Sequence, residues 1–167
     1  MPNVQPPRVF FGEIPDGDAG VLATLRLMRD MVQRGKKVPA VRLAALELVA
    51  DLPQKDYGGQ VVSLHLYVRD YVRYIRDIRN VETLQTPEFT LEWGQGDCDD
   101  KSILLASLLE SIGHRTRFVA VGYGWSGFQH VFVQTLVGQR WVTLETTENV
   151  EVGWNPRRPA RVLKMHN

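Results

Sequence analysis

A chain of 167 residues, 44% hydrophobic and 23% charged, has the makeup of a single soluble globular domain. Its formal charge of +1 leaves no electrostatic footprint for nucleic acid or a membrane surface. No apolar run approaches the roughly 18 residues that a spanning helix needs. The single cysteine, Cys98, rules out an intramolecular disulfide framework. It suits a reducing compartment or a reactive thiol, so a cytoplasmic location is expected.

Residues 1–17 read as an extended arm. Three prolines among the first seven residues disfavour helix, and no apolar stretch there suggests a signal peptide. Val9-Phe10-Phe11 can form a short strand before a turn at Pro15-Asp16-Gly17. Residues 18–167 read as one domain with its core at about 60–150. A first helix is expected over 18–34, with Val21, Leu25, Met28 and Val32 at helical spacing and Gly35 as its stop signal. A second runs from Pro39 to Leu52, where Pro53 ends it. The third is marked by an apolar stripe of Val61, Leu64, Val68, Tyr71, Val72, Ile75 and Ile78.

Residues 82–96 lose the period and read as a loop. A fourth helix is expected from Cys98 to Ile112, with Gly113 as its cap. The period then shifts to strands over 116–121, 128–135 and 140–144, with an edge strand over 161–165. Helices followed by an antiparallel sheet make the class α+β.

The segment Gly94-Gln95-Gly96-Asp97-Cys98-Asp99-Asp100 carries most of the chemical information. Asp97 is a good N-cap and Asp100 sits at N3, so the pair resembles a capping box. Cys98 then falls in the first helical turn, where backbone N–H groups and the macrodipole favour a thiolate. The flanking Asp97, Asp99 and Asp100 oppose this, so a neighbouring cation such as a protonated histidine is required. Cys98, Ser102, Leu105, Leu109 and Ile112 share one stripe, which turns the thiol toward the sheet. Glycines 94 and 96 would let the backbone approach a substrate carbonyl. The Cys98 N–H is then one oxyanion donor, with Gln95 or Trp93 as candidates for a second and Gly96 part of the same surface. Read alone, Cys98 equally fits a small buried apolar side chain.

His130 lies in an apolar strand, on one face with Phe128 and Phe132 by alternation. A turn at Val137-Gly138, or a four-residue loop over 136–139, sets it directly opposite Glu145. A turn at Gly138-Gln139 makes the two diagonal neighbours. All three registers put both side chains on one face. Glu145 alone reads as a solvated acid past a strand end. Together with Cys98 and His130 it completes a nucleophile, base and orienter set. His114 reads as a helix-end cation and His65 as exposed on a polar helix side. Arg69, Arg73 and Arg76 read as a solvated face. Asp97, Asp99 and Asp100 lack the spacing of a calcium loop, and no zinc ligand set accompanies them, so neither metal nor cofactor is expected.

Three segments carry a family resemblance. Gly96-Asp97-Cys98-Asp99-Asp100-Lys101, with Leu104-Leu105-Ala106-Ser107-Leu108-Leu109 running on to Gly113, resembles the nucleophile helix of bacterial and phage transglutaminase-like proteins. Gln129-His130-Val131-Phe132-Val133 resembles their histidine strand, and Trp141-Val142-Thr143-Leu144-Glu145-Thr146-Thr147 their Trp-x-x-x-Asp-Pro-Thr strand end. The resemblance spans about residues 60–150 and implies a papain-like fold in which the nucleophile helix packs on a C-terminal antiparallel sheet. It implies cysteine-dependent acyl transfer on amides of a protein or peptide substrate, to water or to an amine, and hydrolysis is expected ahead of cross-linking. The alternative is a non-catalytic interaction module with a phage assembly partner, and either role allows a virion-associated location. Glu145 stands where the family usually has Asp, and Thr146 where Pro is common. The Trp after the cysteine and the calcium-binding extensions of animal transglutaminases are missing, so calcium dependence is not implied.

Overall fold

The computed structural model describes residues 9–11, 17–76, 83–125 and 127–167. In chain order the elements are β1 (Val9–Phe11), α1 (Asp18–Gly35), α2 (Pro39–Leu48), α3 (Tyr57–Tyr71), β2 (Arg73–Tyr74) and β3 (Thr83–Gln85). There follow α4 (Pro87–Trp93), β4 (Gln95–Gly96), α5 (Cys98–Ser111), β5 (Thr116–Gly122), β6 (His130–Val137), β7 (Arg140–Leu144) and β8 (Arg161–His166). The result is an α+β fold. Helices α1 to α4 surround α5, and a four-stranded antiparallel sheet of order β7-β6-β5-β8 closes its other side.

Helix α5 is the centre of the core. Its residues from Asp100 to Leu109 are all buried, because it touches helices on several sides and the sheet on another. Such a helix is apolar nearly all round rather than along one stripe. Ile103, Leu104, Leu105, Leu108 and Leu109 are fully buried, each worth about 1.5–3 kcal/mol of transfer free energy. Val131, Val133, Phe118, Ala120 and Leu144 meet them from the sheet, while Val119, Val121 and Phe132 form a second small cluster.

Several expected boundaries move, each for a local reason. Gly35 is the last residue of α1, not a left-handed stop. A Cβ there would lie 2.2 Å from Pro87 Cγ, so the glycine admits α4 at close range. Helix α2 ends at Leu48, and its tail tightens into i→i−3 bonds from Val49 and Ala50 instead of reaching Leu52. The apolar stripe of α3 holds for Val61, Leu64, Val68 and Val72 but not for Tyr71 and Ile75. Tyr71 and Ile75 are exposed, and the chain turns extended at Val72 (φ −97°, ψ 106°). There Arg73 N–H bonds Gly94 O and Ile75 N–H bonds Gly96 O, so pairing with β4 replaces the next helical turn. Ile78 lies outside the described residues, as does the turn at Pro15-Asp16.

The segment read as a loop contains β3, α4 and β4. Pro87 opens α4 at its first turn and Gly94 closes it at φ 69°, the N-terminal proline and C-terminal glycine of a short helix. Val9–Phe11 pairs antiparallel with β3. The edge strand β8 pairs with β5, and strand β6 starts at His130 rather than at Phe128. Gly113 caps α5 at φ 100°, with the His114 backbone N–H returning to Leu109 O.

Candidate active site

The start of α5 is a true capping box. The Asp97 side chain accepts from the N–H groups of Asp99 and Asp100, and Asp100 accepts from the Asp97 N–H. Asp100, fully buried, also takes the Gln85 N–H at 2.8 Å, which ties β3 to the helix. These bonds place Cys98 in the first turn. One turn on, Ser102 Oγ donates to Val131 O at 3.4 Å and fixes this end of α5 beside the start of β6.

Strand β6 presents His130 at that junction. His130 and Cys98 line one cavity of about 370 Å³. Asp97, Asp99, Gln129 and Val131 line it too, with Tyr74 and Arg76 at its rim segment. Its apolar wall comes from Phe128, Ala120 and from Val21, Leu25 and Met28 of α1, which recur at helical spacing.

The hairpin register decides where the acid stands. Val137 pairs with Arg140, so the turn is Gly138-Gln139, with Gly138 at φ 60° in the first turn position that favours glycine. Continuing the ladder from Val133↔Leu144 puts Glu145 opposite Phe132 and diagonal to His130. The diagonal is short enough. His130 Nε2 lies 2.6 Å from Glu145 Oε2, and Thr147 donates from its N–H and its hydroxyl to Glu145 Oε1 at 2.8 Å each. Glu145 is 1% exposed, far from the solvated acid it resembles in isolation. Burial works to raise its pKa, but the hydrogen bonds from His130 and Thr147 outweigh it and hold the carboxyl below its ordinary value. An ionised carboxylate only accepts, so His130 donates from Nε2 and turns Nδ1 away from Glu145.

The surroundings of the thiol favour its protonated form. Burial, then the Asp99 and Asp97 carboxylates, push its pKa well above the ordinary thiol range, and a hydrogen bond from the Val131 backbone only partly offsets them. The thiol donates to Asp99 Oδ1 at 3.6 Å.

The three oxyanion candidates lie just before the nucleophile helix. Trp93 is 50% exposed and stacks on Phe89, while Gln95 and Gly96 pair as β4 with Arg73 and Tyr74. None of them lines the cavity of Cys98 and His130. Gly96 is required for another reason: a Cβ there would lie 2.6 Å from Asp100 Cβ.

Two buried polar side chains stand near Glu145. His65, expected to be exposed, is fully buried, and its Nε2 lies 2.6 Å from the backbone oxygen of Glu145. Its place four residues after Val61, on the buried stripe of α3, was the available signal. Lys101 is 1% exposed, and its Nζ donates to Val72 O at 2.6 Å and Arg69 O at 3.3 Å, at the C-terminal end of α3. Burial lowers its pKa to about 8. His114 does not cap α5 through its ring, which lies 2.9 Å from Gln60 Oε1. Arg69 is not a solvated side chain either, since it bonds Asp70 and Val150 O. Among the described residues no cluster of three His, Cys, Asp or Glu side chains could hold a metal ion, and no helix is long and apolar enough to cross a membrane.

Known structures share this arrangement of elements. A candidate protease from Parabacteroides distasonis superposes with a TM-score of 0.57 at 12% identity, over 86% of this chain and 36% of its own. A candidate cysteine protease from Cytophaga hutchinsonii gives 0.56 at 16% identity, over 84% of this chain and 51% of its own. The present chain therefore spans about half of one neighbour and less of the other. No curated protein sequence matches it significantly. The sequence profile of the Transglutaminase-like superfamily matches residues 46–146, more than half the chain, and takes in Cys98, His130 and Glu145. The chain belongs to the transglutaminase-like superfamily.

Proposed function

We propose that this protein is a cysteine acyl-transfer enzyme that hydrolyses an amide bond of a protein or peptide. Cys98 is the nucleophile, His130 the base and Glu145 its orienter. The observation that carries the reading is the 2.6 Å contact of His130 Nε2 with buried Glu145, on a histidine that shares one cavity with Cys98. In the first step Cys98 Sγ bonds the amide carbon as its proton passes to His130 Nδ1. The tetrahedral intermediate collapses to a thioester, and the amine leaves with that proton. Water, deprotonated by the same nitrogen, then attacks the thioester and releases the acid and the thiol. The Cys98 N–H is proposed as one oxyanion donor. The two neighbours described as candidate proteases favour water as acceptor over an amine.

A second reading, a binding module that kept the fold, draws on the raised thiol pKa beside Asp97 and Asp99. One experiment separates the two. With p-nitrophenyl acetate, the wild type should release one p-nitrophenolate per chain in a burst and gain one acetyl group on Cys98. Cys98→Ala should show no burst, and His130→Ala should slow it by about 10²-fold or more, the usual contribution of a general base. Acylation that is equally fast without His130 would leave only the binding reading.

A further inference from the structure

The buried imidazole of His65 is not used by the proposed reaction, yet it is built into the site. It lies in α3, and its Nε2 approaches the backbone oxygen of Glu145 at 2.6 Å. A carbonyl oxygen can only accept, so Nε2 carries a proton and donates it to Glu145 O. Its Nδ1 is buried with no hydrogen-bond partner. This is an unusual cost, since an imidazole nitrogen without a partner forfeits its hydration. A leucine would fill the same apolar stripe without that penalty. The bond to Glu145 is therefore the feature that distinguishes histidine from an apolar residue at position 65.

That bond falls where the sheet no longer helps. Strand β7 ends at Leu144, the last residue of the ladder with β6. Glu145 is one residue beyond, so its backbone needs another anchor. Its side chain is held on one oxygen by Thr147 and must keep the other aimed at His130. A rotation of the Glu145 backbone would swing Oε2 away from Nε2 of His130.

We propose that His65 is a positioning residue, whose Nε2–H anchors the Glu145 backbone beyond the end of the sheet and thereby aims its carboxylate at His130. The inference rests on the Cys98–His130–Glu145 reading, and it assigns a role in that site to the helical half of the fold. The charged groups around the ring are Arg69 and Asp70 of its own helix and Glu145 from the sheet. Burial is the largest influence on the ring and, with Arg69, lowers its pKa against the Glu145 backbone hydrogen bond and the two carboxylates.

The test uses the full chain and p-nitrophenyl acetate, with His130→Ala measured in parallel. His65→Leu should acylate Cys98 about tenfold more slowly than wild type, in line with the loss caused by a small misplacement of a catalytic group. His65→Gln, which returns an N–H donor near the same point, should recover most of that loss. A merely structural role would leave the folded leucine variant at the wild-type rate. Should the leucine variant not fold, imidazole nitrogen NMR of the wild type decides instead. There His65 should appear as the neutral Nε2–H tautomer, and His130 in the His65→Gln variant should keep its wild-type tautomer. A wild-type rate in His65→Leu with a slow His130→Ala, or an Nδ1–H tautomer at His65, overturns the positioning role alone. A wild-type rate in His130→Ala overturns the Cys–His reading, and the positioning role with it.

Discussion

Removing the charge of Asp99 should make Cys98 more reactive. Its Oδ1 stands 3.6 Å from the thiol sulfur, and after burial it is the largest cause of the raised thiol pKa. A unit charge at that distance costs a thiolate about 1.2 kcal/mol at the dielectric of water and about 4.6 kcal/mol at an effective value of 20. Both side chains are half-buried, so the smaller figure is the conservative one. It corresponds to just under one pKa unit, or about an eightfold larger thiolate fraction at a fixed pH below the pKa. Asp99→Asn keeps an acceptor for the thiol and alters little but charge. It weakens the helix N-terminus by about 0.3–1 kcal/mol, which thermal melting would register separately. The assay is the second-order rate of Cys98 alkylation by iodoacetamide at about pH 8, within the range where an ordinary thiol begins to ionise. The variant should react about eightfold faster or more. An intact fold with a rate within about twofold of wild type would refute the electrostatic account of the thiol.

Glycine substitutions should act in opposite directions at two sites. Gly96→Ala, with its Cβ 2.6 Å from Asp100 Cβ, should destabilise by about 1–3 kcal/mol in urea unfolding, because it forces the capping box apart. Gly58→Ala in α3, whose Cβ meets nothing closer than 3.9 Å, should stabilise by up to about 1 kcal/mol. Stability should also depend on pH on both sides of neutrality. Glu145 is lowered, so its contribution is present above the ordinary carboxylate value and lost as the pH falls through its folded one. His65 is lowered too, so the unfolded chain binds its proton first and stability falls as the pH drops below 6.5. Lys101 is lowered from 10.5 to about 8, which makes stability rise across that interval as the unfolded chain loses its extra proton. Urea midpoints measured across the range should show this alkaline rise in wild type and not in Lys101→Met.

How much of this was legible depends on the range of the interactions involved. The capping box at Asp97 and Asp100 and the helix that follows are local and read directly from residue types. The hairpin was legible up to its register, which the turn residue Gly138 settles by its left-handed backbone. Helix α4 was hidden by brevity: seven residues give no period, although Pro87 and Gly94 mark its ends. The end of α3 was not legible because the stripe continues past it, and only the distant partners of Arg73 and Ile75 break the helix there. His65 was misread for a related reason. Its polar ring suggested solvent, and nothing local reveals that a backbone oxygen 80 residues later awaits it.

The acidic residues around Cys98 serve the helix at the expense of the thiolate. Asp97 satisfies two N–H groups of the first turn, and Asp100 joins β3 and the Asp97 backbone to it. An N-cap of this kind is worth about 0.5–2 kcal/mol, and here it also fixes the rotation of α5 that carries Cys98. The same negative charge opposes a resting thiolate. On the proposed reading, this charge disfavours a preformed ion pair with His130. The proton stays on sulfur and moves to Nδ1 only as the sulfur–carbon bond forms. The buried Glu145 then has its largest effect in the transition state, where His130 gains positive charge beside it at 2.6 Å. Stabilisation that appears only as charge develops lowers the barrier without tightening the binding of substrate. This makes the geometry of Glu145 more important than the acidity of Cys98, and it explains why its backbone, its two oxygens and its burial are all separately held.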